Sequence, residues 1–387
     1  METFLLTASG LALLLVVAYD VYSTILDDRP QVGPVSHTLN RTCWRAAHLF
    51  SRRLTRTRRH QALNLVGPLL LPLLFVAYLA LLVGGFALVY YPHMPAEFVV
   101  AEGASRSPLA GSLYYSGVTL TTVGYGDIAP RSKLMRFVAV CESAAGLALV
   151  TLVITYLIAV YGALERKRAV ALSFYHQAEE GANVAGFITH HFVAGRFYGL
   201  VEVLRDAARN LHGVFESHVE HPIIHFFHSV QVYKSMPRVL FLTLETCAVL
   251  RSCLDEEKYP ETCSHPEVRT LEASARHVLA QFVGSLKLKA RRRADGEGEF
   301  EESRRWRRRY EGTLRRLGAA GVAVRPDAAA GWEEYRANRE EWEAPLKRFA
   351  DHLGYDWDEV TGDRDLRYAA DDGMEEPEKS AEEKAEV

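Results

Sequence analysis

The stretch Thr121-Thr122-Val123-Gly124-Tyr125-Gly126-Asp127 alternates two glycines with larger residues. Glycine adopts positive φ without the steric cost that a Cβ atom imposes on other residues. A strand that alternates through such conformations turns its backbone carbonyls towards one side, while the valine and the tyrosine point away and brace it. Thr122 would add a hydroxyl at one end of this row of oxygens. The competing interpretation is a chance glycine turn between two core elements.

Three long apolar stretches accompany this motif. They are Phe4–Leu26, Leu65–Tyr91 and Phe137–Leu164, and each exceeds the about 20 residues that cross a hydrocarbon core of about 30 Å. The first has no basic segment before it and no convincing small-residue cleavage site, so we expect an uncleaved membrane helix rather than a signal peptide. Pro108–Thr121 is apolar but too short to span, which predicts a re-entrant helix.

The motif, the short helix before it and the two flanking spans resemble the pore loop of the potassium-channel family. The similarity covers about residues 65–164, roughly a quarter of the chain. It implies that K+ exchanges its water shell for stacked rings of backbone carbonyls, to which each of four chains contributes one strand. The implied ion-binding selectivity filter consists of Thr122, Val123, Gly124, Tyr125 and Gly126, with K+ held at the first four. No cofactor is implied besides the transported ion.

Residues around the filter match the same family. Tyr114 and Tyr115 stand where small bacterial two-helix channels carry aromatics that form a cuff around the filter strands. Thr121 matches the first of the paired threonines at the end of the pore helix, and Asp127 matches the acid just outside the filter. One departure is Val118, which stands where some members carry a carboxylate that binds this aspartate. We therefore predict that slow inactivation driven by such an acid pair is weak.

The third span contains candidate gating residues. Gly146 lies at the spacing from the filter where the family often has a hinge glycine, and a glycine inside a helix costs about 1 kcal/mol relative to alanine. Close packing without motion is the competing interpretation. The candidates to line the cavity and the inner gate share one helical face and are Leu147, Val150, Ile154 and Ile158. Simple packing against the second span is the alternative for this face.

Two acids lie inside the spans, where an ionisable residue is a functional candidate by default. We expect Glu142 to bind the base of the pore helix or its neighbours rather than ions. Asp20 lies near the inner end of the first span. Contact with the arginines that follow, or extension of the side chain towards water, is the expectation for this residue, with a gating role as the alternative.

Basic residues near the ends of the spans predict the orientation in the membrane. They follow the first span as Arg29, Arg41, Arg45, Arg52, Arg53, Arg56, Arg58 and Arg59, and the third as Arg166, Lys167 and Arg168. The outer segment from Pro92 to Gly111 contains just Arg106. We expect a multi-pass protein of the cell (plasma) membrane, with its N-terminus outside and everything after Leu164 in the cytoplasm. The architecture and the Arg-rich composition suggest a bacterial source.

The arginines within residues 41–60 are clustered outside the apolar spans instead of recurring every third residue inside one. A voltage-sensing helix is therefore not expected. With Trp44, Leu49 and Phe50, the segment predicts an amphipathic surface helix in contact with anionic lipid headgroups.

The second half of the chain is rich in charge and helical in pattern. Neither a glycine fingerprint after a strand nor a series of alternating strands indicates a nucleotide-binding module. Ser235 is expected to cap a buried helix that reaches Leu254, and Asp327 to cap a helix that ends near Gly354. Pro345 should kink the latter helix. Its buried stripe is predicted to consist of Trp332, Tyr335, Trp342, Leu346, Phe349 and Leu353.

Histidines and cysteines are candidate ligands. The spacing of His218, His221, His225 and His228 would align them on one helix, but Pro222 interrupts it. We expect a helix that begins near Pro222 and carries only the last two on one face; metal binding, proton sensing and ordinary packing stay open. Cys253, Cys263 and His265 lack tight metal-ligand spacing, and free thiols are expected for all cysteines.

These patterns predict an all-α membrane protein with three transmembrane helices, a re-entrant pore helix and a filter loop, plus a helical cytoplasmic domain. Arg291–Arg316 is predicted to be a solvated helix or linker. The predicted domains are an N-terminal transmembrane helix (1–28), a basic amphipathic linker (29–64), a pore module (65–164), a helical cytoplasmic domain (165–370) and a disordered acidic tail (371–387).

The leading hypothesis is a homotetrameric, potassium-selective channel that is gated or assembled through its cytoplasmic domain. Its expected partners are further copies of the chain, K+ and anionic lipids at residues 41–60, and no nucleic acid. The alternative is a membrane-anchored cytoplasmic sensor of metal or pH with a vestigial or weakly selective pore, although Tyr125 argues against weak selectivity. No nucleophile–base or carboxylate–metal arrangement supports an enzyme.

Overall fold

The computed structural model describes residues 1–27, 32–94, 96–101, 107–177, 184–288 and 296–362, which excludes the predicted acidic tail. The chain divides into two compact units. We call the first the membrane unit; it comprises Met1–Leu49, Leu65–Gly162 and Val219–Phe227. We call the second the helical unit; it comprises Phe50–Asn64, Ala163–His218 and His228–Val387.

Five helices form most of the described part of the membrane unit. They are α1 (Glu2–Val21, continued by a π-helical turn at Tyr22–Leu26), α2 (Pro34–Ser51), α3 (Arg56–Tyr90), the short α4 (Pro108–Leu120) and α5 (Lys133–Gln177). The first turns of α3 and the last turns of α5 belong to the helical unit. Among the described residues, three segments are long and apolar enough to cross a membrane, namely Glu2–Leu26, Arg56–His93 and Lys133–His176. The structure therefore confirms the predicted all-α membrane protein, with helices that extend beyond the predicted spans.

A short two-stranded antiparallel sheet joins the two ends of the segment that contains α4 and the glycine motif. Strand β1 (Phe98–Val100) pairs antiparallel with β2 (Ile128–Pro130), with Val99 opposite Ala129. Next to it, the rings of Tyr90, Phe98 and Tyr115 pack edge to face, with centroids 5.1–5.7 Å apart. Because these rings come from α3, β1 and α4, they hold the short helix against the second span.

The helical unit is built around α8 (Met236–Ser252), in which every residue except Arg251 is buried. The other helices of this unit are α6 (Val184–His190), α7 (Leu200–Glu220), α9 (Pro260–Cys263), α10 (Pro266–Ser285), α11 (Gly296–Ala319), α12 (Ala328–Leu353) and α13 (Trp357–Thr361). A two-stranded hairpin is formed by β3 (Phe192–Val193) and β4 (Arg196–Phe197), and 3-10 turns lie at Pro222–Phe226 and Val232–Lys234. Helices α10, α12 and α13 pack against α8, which places the core of the unit around this central helix.

Both predicted helix caps are present. Ser235 Oγ accepts a hydrogen bond from the Arg238 amide at 3.3 Å, and Asp327 Oδ1 accepts from the amides of Ala329 and Ala330 at 3.0 Å. Helix α12 ends at Gly354, whose φ of 83° is the left-handed conformation expected of a glycine after a helix. All six residues of the predicted stripe on α12 are buried, and this helix continues through Pro345.

The charged segment around α11 is more than a solvated helix. Trp306 and Tyr310 are buried, and Trp306 Nε1 donates to Glu343 Oε1 on α12 at 2.9 Å. The prediction for this segment was therefore wrong at its apolar positions. The prediction was based on the density of charged residues and overlooked two aromatic side chains that lie four residues apart and thus on one face of the helix.

Candidate functional site

The glycine motif follows directly on the C-terminal end of α4. Positive φ angles recur at every second residue, with 61° at Thr122, 58° at Gly124 and 79° at Gly126. The alternation predicted from the glycines is thus present, and it includes a threonine that the sequence does not mark. A β-branched residue at positive φ is a strained outlier of the kind that clusters at functional sites.

Main-chain hydrogen bonds fold the motif back onto α4. The Val123 amide donates to the Val118 carbonyl at 3.0 Å, and the Thr122 amide donates to the Thr119 carbonyl at 3.0 Å. The carbonyl of Val118 therefore contacts the start of the strand, and the position of its side chain behind the strand stays a prediction. The side chains of residues 121–126 are exposed in the single chain, with Val123 52% and Tyr125 72% exposed. Nothing within one chain covers this strand among the described residues.

The two tyrosines of the predicted cuff have different surroundings. Tyr115 is buried in the aromatic cluster described above. Tyr114 is 39% exposed, and its hydroxyl interacts with the carboxylate of Asp127 just beyond the motif, which raises the pKa of the tyrosine. Asp127 Oδ1 also accepts from the Ile128 amide at 3.1 Å. Tyr114 therefore joins α4 to the far end of the motif, whereas Tyr115 anchors α4 to its own chain.

Glu142 connects three helices at the base of the pore helix. Its Oε1 accepts from Ser116 Oγ on α4 at 2.5 Å, and its Oε2 accepts from the hydroxyl of Tyr90 on α3 at 2.8 Å. The carboxylate is completely buried. Contact with the pore helix rather than with ions was the expectation, and the structure confirms that contact. Since Ser116 Oγ also lies 3.1 Å from the Val83 carbonyl, the polar contacts continue into the second span.

Gly146 lies where α5 crosses the end of α4. A Cβ atom at this position would lie 2.1 Å from the carbonyl oxygen of Leu120, the last residue of α4. No side chain fits into that space, so this glycine permits close packing of the two helices. Helix α5 runs without interruption from Lys133 to Gln177. Close packing is thus observed, and a hinge at this position stays a prediction.

The predicted cavity face of α5 is apolar and open. Its four residues are 40–69% exposed in the single chain and are Leu147, Val150, Ile154 and Ile158. The alternative, burial of this face against the second span, is not what the described residues show. An exposed apolar stripe of this kind needs lipid, another copy of the chain or a hydrophobic pore lining to cover it.

Asp20 has partners other than the expected arginines. Its Oδ1 accepts from the Val35 amide at 2.6 Å, and its Oδ2 accepts from Ser36 Oγ at 2.6 Å and from the hydroxyl of Tyr78 at 2.7 Å. The acid therefore caps the N-terminus of α2 and ties it to α1 and α3. A Cβ atom on Gly33 would lie 2.2 Å from Asp20 Oδ1, so this approach requires a glycine. The sequence Gly33-Pro34 was the available signal, because proline favours the first position of a helix.

Only some of the apolar residues in the predicted membrane-facing segment at residues 41–60 are exposed. Leu49 and Phe50 are exposed, but Trp44 is buried, and its ring lies 5.6 Å from that of Phe226. Arg56 and Arg59 form ion pairs within the helical unit, described below. The prediction that Trp44 faces lipid was wrong. The apolar face of an amphipathic helix has the same sequence pattern whether it packs against protein or against lipid, so the pattern could not distinguish the two.

The four histidines between residues 218 and 228 do not share a helix face. A 3-10 turn begins at Pro222 as expected but ends at Phe226, so the predicted joint face of His225 and His228 was wrong. His218 Nδ1 lies 2.7 Å from the Val214 carbonyl within α7, whereas His228 is buried beside His60. Among the described residues, no group of three or more His, Cys, Asp or Glu side chains could hold a metal ion. All five cysteines are free thiols, as predicted.

Comparisons with known proteins identify the class that this geometry defines. The model of a family described as "Ion channel" matches residues 76–162, which include α4, the glycine motif and about the first two thirds of α5. The chain belongs to this ion channel family, with a pore domain of the two-transmembrane-helix, potassium-channel type. It is also similar to the membrane protein YdjJ of Bacillus subtilis (strain 168), with 30% identity over 265 residues, 68% of this chain and 74% of that protein. No solved structure matches the chain.

Proposed function

We propose that the protein is a homotetrameric channel that conducts K+ passively and selectively. The observation that carries the proposal is the run of alternating positive φ angles at Thr122, Gly124 and Gly126, in a strand that lies exposed after a re-entrant helix. Rings of carbonyls from such strands replace the hydration shell of a dehydrated cation. The ion-binding positions are Thr122, Val123, Gly124, Tyr125 and Gly126.

Assembly as a tetramer accounts for what a single chain leaves uncovered. One chain contributes one strand, so a ring of carbonyls needs several copies around an axis. The exposed side chains of Val123 and Tyr125 would then pack against neighbouring protein. The exposed face of α5 that contains Leu147 and Ile158 would line the cavity below the filter, where a ring of isoleucines can close a pore by dewetting.

Supporting roles follow from the same arrangement. Tyr114 and Asp127 would hold the outer end of the filter strand, and Thr121 the end of the pore helix. Gly146 would serve as a gating hinge at its contact with Leu120. In the cell membrane, the N-terminus would face outside and the helical unit the cytoplasm, where it would gate or assemble the pore. Anionic headgroups would bind the exposed side chains of Arg52, Arg53 and Arg58.

A flux assay on purified protein in liposomes tests the proposal. We expect K+ flux that exceeds Na+ flux, is blocked by Ba2+ and is lost in Gly124→Ala. In the single chain a Cβ on Gly124 would meet no atom within 4 Å, so the loss would come from its backbone conformation at φ 58°. Gly117→Ala is the matched control, since this pore-helix glycine has equal space around it and no positive φ.

Either of two results would overturn the proposal. Equal K+ and Na+ flux in the wild-type protein would exclude the selective filter. Selective flux that survives Gly124→Ala would exclude a role of this strand in selectivity.

A further inference from the structure

A buried cluster in the helical unit joins the first turns of α3 to the end of the described chain. His60, His228, Tyr355 and Glu359 are each 0–5% exposed. His60 Nδ1 lies 2.7 Å from His228 Nε2, and His60 Nε2 lies 3.3 Å from Glu359 Oε1. The ring of Tyr355 stacks on both imidazoles, with centroids 4.2 Å from that of His228 and 5.7 Å from that of His60. The ion channel function uses none of these side chains.

The hydrogen-bond partners fix the number of protons in this cluster. His228 Nδ1 lies 2.9 Å from the carbonyl oxygen of Leu353, which can only accept, so this nitrogen carries a proton. The contact between the two rings needs one proton between His60 Nδ1 and His228 Nε2. The contact of His60 Nε2 with the carboxylate of Glu359 needs a third. Two neutral imidazoles carry two protons in total, so the fully bonded cluster holds one more.

Removal of that extra proton leaves one of the three contacts unfavourable, whichever two protons remain. Without the proton towards Glu359, the bare Nε2 of His60 faces the carboxylate. Without the proton between the rings, the bare nitrogens of His60 and His228 face each other across 2.7 Å, and without the proton on His228 Nδ1 this nitrogen faces the carbonyl oxygen of Leu353. Because the groups are buried, water cannot relieve any of these contacts without opening the structure.

The charges around the cluster come from several elements. On α3, Arg56 pairs with Glu359, and Arg59 Nη2 lies 2.9 Å from Asp356 Oδ1. Lys167 on α5 also acts on His228. Burial raises the pKa of Glu359, but the hydrogen bond and charge of His60 and the charge of Arg56 lower it further than burial raises it. Glu359 is therefore a carboxylate near neutral pH.

The second histidine stays neutral under the same conditions. Burial, and then the charge of His60, hold the pKa of His228 well below its ordinary value, with smaller effects of Lys167 and Arg59, although the hydrogen bond to Leu353 opposes them. The extra proton thus belongs on His60, between its two acceptors. The distances from His60 to Glu359 and to His228 support this placement.

We propose that His60, His228 and Glu359 form a proton-binding site, in which one proton bound by His60 fastens the start of α3 to the segment that ends in α13. The site is complete within one chain. Arg56 adds an ion pair to Glu359, and Asp356 and Glu359 cap α13, so several polar contacts join residues 56–60 to α13.

Proton linkage gives the site a characteristic pH dependence. In the unfolded chain both histidines titrate near pH 6.5, whereas the folded chain holds one proton on the pair across this pH. Below this pH the unfolded state binds more protons, so stability falls as the pH decreases. Above it the folded state binds more, so stability falls as the pH increases. The pair therefore contributes most near pH 6.5, and the loss on the alkaline side is specific to the bound proton.

Thermal unfolding of the full-length protein in detergent between pH 5.5 and 8.5 tests the site. We expect the midpoint of the wild-type protein to fall by roughly 3–5 °C per pH unit on the alkaline side. His60→Gln can hydrogen-bond to both neighbours but binds no proton, so its alkaline decline should vanish. His218→Gln is the matched control, because His218 is equally buried but bonds to the Val214 carbonyl of its own helix. An alkaline decline that persists unchanged in His60→Gln overturns the proposal.

Nitrogen-15 spectra of histidine-labelled wild-type protein provide a readout that does not depend on any variant folding. At pH 6.5, His60 should have two protonated ring nitrogens, and His228 one. A neutral His60 at this pH overturns the proposal, even if His60→Gln fails to fold.

A consequence for the pore rests on the proposed channel function. Helix α3 continues from His60 into the second span without a break, so its attachment at residues 56–60 affects the same helix that contacts Glu142 through Tyr90. K+ flux in liposomes should differ between pH 6 and pH 8 in the wild type and not in His60→Gln. If the spectra and the unfolding show the bound proton but no protein conducts, the proton site stands and the channel proposal fails.

Discussion

The glycine motif and the core around α8 differ in where their packing partners come from. Residues 121–126 are exposed and strained in one chain, and they gain their partners only when further copies supply them. The side chains of α8 other than Arg251 are buried within the same chain, including the charged groups of Arg238 and Glu245. The difference indicates that the helical unit folds on the basis of its own contacts, whereas the pore strand depends on assembly. The following substitutions test this difference, from the largest expected effect to the smallest.

Arg339→Ala should have the largest effect on stability. The Arg339 guanidinium is 1% exposed and binds Glu245 Oε2 on α8 at 2.8 Å and Glu343 Oε2 at 2.7 Å. Its removal leaves two buried carboxylates without their cation, which costs about 3–5 kcal/mol of unfolding free energy. The unfolding midpoint in detergent measures this loss. Arg336→Ala removes an exposed pair on the same helix and should stay within about 0.5 kcal/mol; equal losses in both would contradict the assignment.

Gly146→Ala should damage the pore without unfolding the helical unit. The new Cβ would meet the Leu120 carbonyl, so α4 and α5 must separate at the base of the filter, at a cost of about 1–3 kcal/mol. K+ flux should fall, while the unfolding of the helical unit is unchanged. Gly162→Ala on the same helix meets no atom within 4 Å and is the matched control. Normal flux in Gly146→Ala would show that this contact is not needed for conduction.

Removing single hydrogen bonds to Glu142 should have a smaller effect. Tyr90→Phe and Ser116→Ala each remove one hydrogen bond to a completely buried carboxyl group, which costs about 1–3 kcal/mol because water cannot replace the lost partner. The two losses should not add, since both donors bind the same group. Comparison of the double variant with the single ones by thermal unfolding measures the coupling. Strict additivity would mean that the two bonds act independently.

Val118→Glu should change kinetics rather than stability or selectivity. The Val118 carbonyl accepts from the Val123 amide at the start of the motif. The resemblance to the potassium-channel family implies that a carboxylate at this position would bind Asp127, because some members carry such a pair behind the filter. We expect sustained current in the wild-type protein and faster decay in the variant. Strong inactivation that is the same in both would contradict the prediction.

Local patterns predicted much of the fold. The spans, the re-entrant helix, the caps at Ser235 and Asp327 and the buried stripe of α12 each depend on residues within a few turns of one another, so spacing along the chain is enough to find them. The contact of Glu142 with the pore helix was also predicted, because a buried acid in a span needs a nearby polar partner.

The contacts of residues that could pack equally well in several places were predicted less well. Trp44 was assigned to lipid and packs on Phe226, while Asp20 was assigned to arginines and caps α2. In each case the sequence states what the side chain requires, apolar surface or hydrogen-bond donors, and several segments could meet that requirement.

The sequence by itself determined the three membrane spans, the short helix between two of them and the alternating backbone of the motif, since hydropathy and glycine spacing act locally. Only the tertiary structure decided which distant groups meet. His60 and Glu359 are 299 positions apart, and nothing in the periodicity of either segment relates one to the other. A buried charged group needs a partner, and that partner can come from any part of the chain. The sequence therefore shows which residues need partners, and only the tertiary structure shows which residues those partners are.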